Sequence, residues 1–405
     1  MHVSDTCKSF TIGLSFLIVA AVRHASRHHK LRRRLLQLFL LTFFLWSTAD
    51  VLLVHRNFHA EQTHIDYRPP ERQRVYITSV QWNGERVLSK QWTNAVVELA
   101  HVFGPDNVYV SVYESGSSDG TKVALRELDK DLVKVGVQRS IIFSDLISDD
   151  EASITPDGGG HTSYFTRLRN EALRNLFDLR DSGIFFDRIL FLGDATFTKD
   201  DVLSLLNTNY GAYTAACSFD ILNPPSYLDA FALRDVDGYE HIMQKWPFFR
   251  ASTSRDAMKS MLPVPVRSCW GEMVFMHAEA FYSTRPIRFR EVPEGLAVKQ
   301  IAASECCLIH ADNLLSKRRG VFLNPFVRIG DQVREYSASH PDSHWLSTWE
   351  IFESIWENRL RRWFSPPFLQ GWASYRRLAE WKAEDDKNKE TGDYCLTITT
   401  QNLVS

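Results

Sequence analysis

Between Arg74 and Phe219 the chain alternates short β-branched or aromatic runs with amphipathic helical patterns, and this alternation constrains the fold most. Val75-Tyr76-Ile77-Thr78 reads as a strand. Trp92, Ala95, Val96, Leu99 and Phe103 then recur on one helical face until Gly104-Pro105 ends the helix. Val108 to Tyr113 is a second strand, Leu125, Leu128 and Leu132 mark a helix, and Val137 to Phe143 is a third strand. A helix through Phe165, Leu168, Ala172, Leu176 and Leu179 follows, then the strand Arg188 to Leu192, a helix opened by Thr198, and the strand Ala212 to Phe219. Parallel neighbours need a crossover rather than a hairpin. The series therefore predicts an α/β fold, a mostly parallel central sheet with helices on both faces.

In such a sheet ligands bind at the carboxyl ends of the strands. The second strand runs into Glu114-Ser115-Gly116-Ser117-Ser118-Asp119-Gly120-Thr121. Small residues there admit backbone N–H groups close to a base or ribose, although Gly and Ser clusters are also ordinary surface turns. Glu114, Ser115 and Gly116, with Thr78 and the loop to Gln81, are the expected nucleotide-binding residues. Strand Arg188 to Leu192 leads into Gly193-Asp194-Ala195, placing Asp194 at the same edge to hold a metal and a diphosphate. A hard cation, Mn2+ or Mg2+, neutralises the charge that develops on such a leaving group. Asp200 and Asp201 instead suit the helix start, where Thr198-x-x-Asp201 resembles a capping box. Arg167 and Arg169 point in different directions on a helix, so at most one reaches a phosphate; Arg169 is the candidate.

A basic cluster, Arg23 to Arg34, precedes the apolar run Leu35 to Val54, which only Asp50 interrupts. About 20 apolar residues span a bilayer core, and the arginines in front place the amino terminus in the cytoplasm. The expectation is a single-pass, membrane-embedded signal anchor with a lumenal catalytic part; a cleaved signal peptide is the competing reading. The divisions are 1–34 tail, 35–54 anchor, 55–73 stem, 74–335 catalytic domain and 336–405 helical extension with a mobile tail. The net charge of −2, with no basic stripe in the body, excludes a nucleic-acid partner. Six cysteines without a C-x-x-C pattern leave disulfides possible but unassigned.

Two later segments carry further polar candidates. Ser268-Cys269-Trp270-Gly271-Glu272 offers an aromatic face and an acid to a sugar, and Ser304-Glu305-Cys306-Cys307 continues to His310, a possible further metal ligand. Ser148 to His161 is an Asp- and Gly-rich loop. Beyond 330, Trp345, Trp349, Phe352, Trp356 and Trp363 share a helical face expected to pack on a core.

Taken in order, Val108 to Ser117, Arg169-Asn170, Phe191-Leu192-Gly193-Asp194, Cys217-Ser218-Phe219-Asp220, Arg234-Asp235, Ser268-Cys269-Trp270 and Ser304-Glu305-Cys306 resemble motifs of one fungal family. It is that of the cryptococcal mannosyltransferases and capsule-associated proteins, glycosyltransferase family 69, and the resemblance covers residues 74 to 335. It implies a GT-A-like nucleotide-sugar transferase fold and a type II Golgi membrane protein. The implied reaction is retaining α-1,3-mannosyl transfer from GDP-mannose to a mannose-containing glycan acceptor. Under this reading Glu305, Asp220 and Glu272 are the catalytic candidates and Trp270, Arg234 and Asp235 the acceptor-binding ones. This chain departs from the family pattern at Gly193 and Gly271-Glu272, and Thr196 stands where an Asp-x-Asp motif has its second acid. A non-catalytic polysaccharide assembly or export factor with a degenerate transferase fold is the alternative.

Overall fold

A computed structural model describes residues 29–60, 72–144, 161–223, 226–227, 231–330, 336–337, 340, 345–365 and 371–398. The chain divides into two units, residues 1–56 and 57–405, each described by itself. In the first, the helix His29–Ala60 contains a stretch, Leu31–Asn57, long and apolar enough to cross a membrane. The helix runs past the expected end of the anchor at 54, so the start of the expected stem is helical.

The second unit is built on one mixed sheet. Its strands are β1 (Val75–Gln81), β2 (Val108–Ser115), β3 (Gln138–Ser144), β4 (Arg188–Leu192), β5 (Ala215–Asn223), the short β6 (Ser226–Tyr227) and β7 (Arg234–Asp235), β8 (Val264–Ser268) and β9 (Met273–His277). A small separate pair, β10 (Ile301–Ala302) and β12 (Thr397–Ile398), flanks β11 (Val321–Ile329) in sequence. The order is β3-β2-β1-β4-β9-β5-β11-β8-β7, with β6 paired to β5. The first four strands are parallel, as are β5 and β11, whereas β9 lies antiparallel between β4 and β5. This is the expected α/β architecture with a mostly parallel core. What the alternation did not disclose is β9. Met273 to Met276 are fully buried, and a strand buried on both faces carries no period-2 signal to separate it from the preceding turn.

One sheet face packs Val75, Ile77, Val110, Val112, Leu190 and Leu192 against Trp92 and against Leu99, Leu125 and Leu128 of the expected helices, now Thr93–Phe103 and Thr121–Val135. The other face carries Tyr76 stacked on Tyr109, ring centroids 5.4 Å apart. The helix expected through Phe165 to Leu179 is two helices, His161–Ala172 and Arg174–Asp181. The break has a cause: the Ala172 carbonyl accepts from Tyr76 Oη at 2.9 Å and Ser111 Oγ at 2.8 Å, which ties the first helix to the sheet. The loop expected at Ser148 to His161 lies, up to residue 160, outside the described residues.

Two expectations for the carboxyl-terminal part are corrected. In the helix Thr348–Phe364, Ile351, Ile355 and Asn358 form the buried face, while Trp349 is 70% and Trp363 52% exposed. Helical spacing shows that aromatic residues share a side; it does not show which side meets the domain. The segment after Ala383 is not a mobile tail as far as residue 398. Cys395 is bonded to Cys307, β12 pairs with β10, and Glu390 Oε1 accepts from Arg290 Nη2 at 2.7 Å.

Candidate functional site

The parallel register sets Gln81 of β1 directly beside Glu114 of β2. Both side chains are fully buried at the carboxyl edge. Glu114 Oε1 accepts from Ser117 N, whereas Oε2 has no hydrogen-bond donor and lies 3.8 Å from Lys122 Nζ. Gln81 Nε2 donates to Ser79 Oγ at 2.7 Å, and Gln81 Oε1 likewise has no donor. Buried acceptors without donors are rare because each forfeits its hydration. Two side by side at a strand edge mark a place where a ligand's N–H groups or a cation complete them.

The turn after β2 is held open by its neighbours. Gly116 takes φ +66° and donates to Ser144 O at 3.1 Å, a left-handed conformation that glycine adopts without strain. Ser115 Oγ bonds Tyr164 Oη. Asn83 Oδ1 accepts from Ser118 N at 2.9 Å, and Glu85 Oε2 accepts from Gly120 N at 2.9 Å. The loop after β1 therefore clamps the turn after β2. Thr78 differs from expectation: 2% exposed, its Oγ1 is directed at Ala172 O rather than toward the edge.

Asp194 is exposed in the bend after β4, and among the described residues its carboxylate has no hydrogen-bond or ion-pair partner. A Cβ added at Gly84 would lie 3.0 Å from Gln81 Oε1 and 3.5 Å from Asp194 Cβ, so the amide oxygen and the acid border one small space. Thr196 is buried and spent on structure, its N–H donating to Gly330 O at 3.2 Å. The expected capping box is present, Thr198 and Asp201 each accepting from the other's backbone N–H.

β9 brings Glu272 to the same strand end. Leu192 pairs with Met273, and the ladder continues with Gly193 N donating to Glu272 O at 2.7 Å. Asp220, 2% exposed, accepts from Glu272 N through Oδ2 at 2.9 Å and from Ser218 Oγ through Oδ1 at 2.8 Å. These contacts brace the Gly271-Glu272 turn. Beside the turn, Arg169 and Glu305 form an ion pair, and the Arg169 guanidinium lies 5.3 Å from the Trp270 ring centroid. Trp270 packs on Phe191 at 5.2 Å and Phe289 at 5.4 Å. The structure thus brings together Arg169, Trp270 and Glu305. The Arg169 charge expected to meet a phosphate is already matched by Glu305.

Three other candidates serve the fold. Arg234, 1% exposed, donates to the carbonyls of Tyr394, Phe231 and Leu233. Asp235, fully buried, accepts from the N–H groups of Asp237, Tyr239 and Ala251, and burial pushes its carboxyl above the ordinary range. Arg234 also donates to Glu240 Oε1 at 3.2 Å through Nη2. His310 is buried against the Cys217–Cys269 disulfide, with Nε2 donating to Cys269 O at 2.7 Å. These three side chains are the one cluster of at least three potential metal donors among the described residues, yet both sulfurs are bonded to each other and the imidazole faces them. His310 as metal ligand is corrected on that ground. Neither the disulfide partners nor the role of Ser218 carried a local signal in the sequence.

Burial holds the His310 imidazole neutral, its pKa pushed down from 6.5 to about 4. The unfolded chain takes up this proton first, near 6.5, so native stability declines as pH falls from about 6.5 to about 4 and levels off below. The expected loss is roughly 3 kcal/mol. Urea unfolding of the chain at pH 7 and 4.5 measures it, and His310→Gln should flatten the dependence. An unchanged slope in that variant would assign the acid sensitivity elsewhere.

Residues 74–312 match the family described as Cryptococcal mannosyltransferase 1. The alpha-1,3-mannosyltransferase CMT1 of Cryptococcus neoformans var. neoformans serotype D is 27% identical over 238 residues, 54% of this chain and 49% of that protein. The chain thus spans about half the length of this curated relative. Among solved structures, the mannosyltransferase PcManGT from Pyrobaculum calidifontis in complex with GDP-Man and Mn2+ superposes with TM-score 0.39 at 12% identity, covering 85% of this chain and 86% of that one. TarS 1-349 from S. aureus gives TM-score 0.35 at 14% identity, covering 78% and 82%.

Proposed function

The chain belongs to the Cryptococcal mannosyltransferase 1 family, and from that membership we propose that it is a membrane-anchored Golgi glycosyltransferase transferring mannose from GDP-mannose. The acceptor class is an α-mannoside or a surface polysaccharide, the linkage α-1,3, and the anomeric configuration is retained. The observation that carries this reading is the buried Glu114, whose Oε2 lacks a donor at the edge of β2. Guanine offers N–H groups on its Watson–Crick edge, and a desolvated carboxylate rewards such donors more strongly than water does.

The chain's residues support a division of labour. Glu114 receives the base, and the backbone of Ser115 to Ser117 approaches the ribose. Mn2+ or Mg2+ fits the next position, because the exposed Asp194 and the donorless Gln81 Oε1 are both oxygen donors. Bound there, the cation would neutralise the diphosphate as the glycosidic bond breaks. Trp270, with Arg169 and Glu305 behind it, offers an aromatic face and a charged pair to the sugar, and Glu272 presents its acid between the two halves.

The test is transfer by the full chain in detergent, with GDP-mannose, Mn2+ and a panel of α-mannosides. Mannoside extension with GDP release is the expected result. Glu114→Gln should raise KM for GDP-mannose about tenfold or more while changing kcat little, since the lost bond serves ground-state binding. Absence of transfer and of GDP release from folded protein would overturn the reading.

A further inference from the structure

We infer that Asn170 is a positioning residue for the acceptor sugar: with Arg169 it fixes the wall formed by Trp270, Phe289 and Glu305, and the pair serves the acceptor rather than the nucleotide. This rests on the reading of Trp270 as a sugar-binding surface given above.

β1 separates the two halves of the site, because its side chains alternate between the faces of the sheet. Ile77 and Gln81 lie on one face. Tyr76 and Thr78 lie on the other, where their hydroxyls and that of Ser111 donate to Ala172 O at the end of the helix His161–Ala172. Phe191 is paired with Thr78 and shares that second face. Arg169 and Asn170 stand in the last turn of this helix, on the opposite side of the sheet from Gln81.

Asn170 bonds one residue of the wall in both directions. Its Nδ2 donates to Phe289 O at 2.9 Å, and its Oδ1 accepts from Phe289 N at 3.1 Å. A rigid amide with both a donor and an acceptor is what asparagine offers and what aspartate or leucine, of similar size, does not. Phe289 is 2% exposed, its ring 5.4 Å from that of Trp270 and 5.7 Å from that of Phe191. The following residue, Arg290, pairs with Asp312 and Glu390, so the segment is fastened on both sides. The half-buried Trp270 thus rests on a ring whose backbone Asn170 holds.

Arg169 completes the wall from the same turn of helix. Its guanidinium lies 5.4 Å from the Phe165 ring, 5.3 Å from Trp270 and 5.7 Å from Phe289, and it pairs with Glu305. Three rings and a carboxylate are already its partners. Engaging a diphosphate would compete with all of them.

The experiment is two-substrate kinetics of the full chain in detergent, with GDP-mannose, Mn2+ and an α-mannoside each varied. Asn170→Leu should raise KM for the mannoside about tenfold or more, through loss of the two bonds that hold Phe289, and leave KM for GDP-mannose unchanged. Phe289→Leu keeps both backbone bonds and removes only the ring against Trp270. It should show the same one-sided rise even where Asn170→Leu fails to fold. A rise in KM for GDP-mannose with the mannoside KM unchanged would assign the pair to the donor and overturn the inference, as would wild-type kinetics in both variants; either result leaves the transferase reading standing. If wild type transfers nothing, GDP affinity and saturation-transfer NMR of the α-mannoside decide. A mannoside signal lost in Phe289→Leu, with GDP affinity kept, supports the wall. No mannoside binding by wild type would overturn both the wall and the acceptor half of the proposed function.

Discussion

Asp194→Asn is expected to lower mannosyl transfer by about a hundred- to a thousandfold, with little change in the unfolding midpoint. The two halves of this expectation come from one fact. The carboxylate is exposed, and no described residue bonds it, so the fold does not depend on its charge and the substitution leaves no buried partner stranded. Under the proposed function its use lies in the charge that develops on the diphosphate as the glycosidic bond breaks, and removing one electrostatic contributor of that kind costs roughly 3 to 4 kcal/mol of barrier. Transfer rates and thermal melts of the same preparation check both. Full activity in Asp194→Asn would favour the assembly-factor reading, in which the acid is a relic of the fold.

The second large effect is on stability. Cys307 and Cys395 are both fully buried and close a loop with a sequence separation of 88. A cross-link of that span restricts the unfolded chain by roughly 4 to 5 kcal/mol in the loop-entropy account. The bond also anchors elements that matter locally, because Tyr394 O holds Arg234 Nε at 2.8 Å and Glu390 sits against Arg290. Cys395→Ser should therefore lower the urea midpoint substantially and make the segment after Trp372 sensitive to protease. If the midpoint stays within error of wild type, the tail is held by its hydrogen bonds and packing alone. Reduction of the wild-type chain should mimic the variant in the tail, and additionally loosen the Cys217–Cys269 connection that precedes Trp270.

Much of the proposed nucleotide half was legible in the sequence. The β2 run ends in Glu114, the glycine and serine turn follows, and Asp194 ends β4; each is a local pattern of neighbours along the chain. The surroundings of Arg234, Asp235 and Asp220 were not legible in the same way. A polar residue bound to backbone in the interior and one presented to a sugar look alike in sequence. Only the carbonyls around Arg234 and the N–H groups around Asp235 distinguish them. His310 was misjudged for the same reason: its surroundings are a disulfide between residues 217 and 269, remote from it in the chain.

By itself the sequence determined the alternation of strands and helices, and with it the carboxyl edge on which Glu114 and Asp194 stand. Periodicity is set by residues a few positions apart, so it survives being read in one dimension. The tertiary structure alone decided what lies beside that edge. β9 enters antiparallel between β4 and β5 from some eighty positions downstream of β4, and this non-local pairing puts Glu272 into the space that Gly193 leaves. It also left Trp349 and Trp363 exposed and closed the tail onto Cys307. Such contacts depend on which surfaces meet in the folded chain, and no local pattern in either partner records the other.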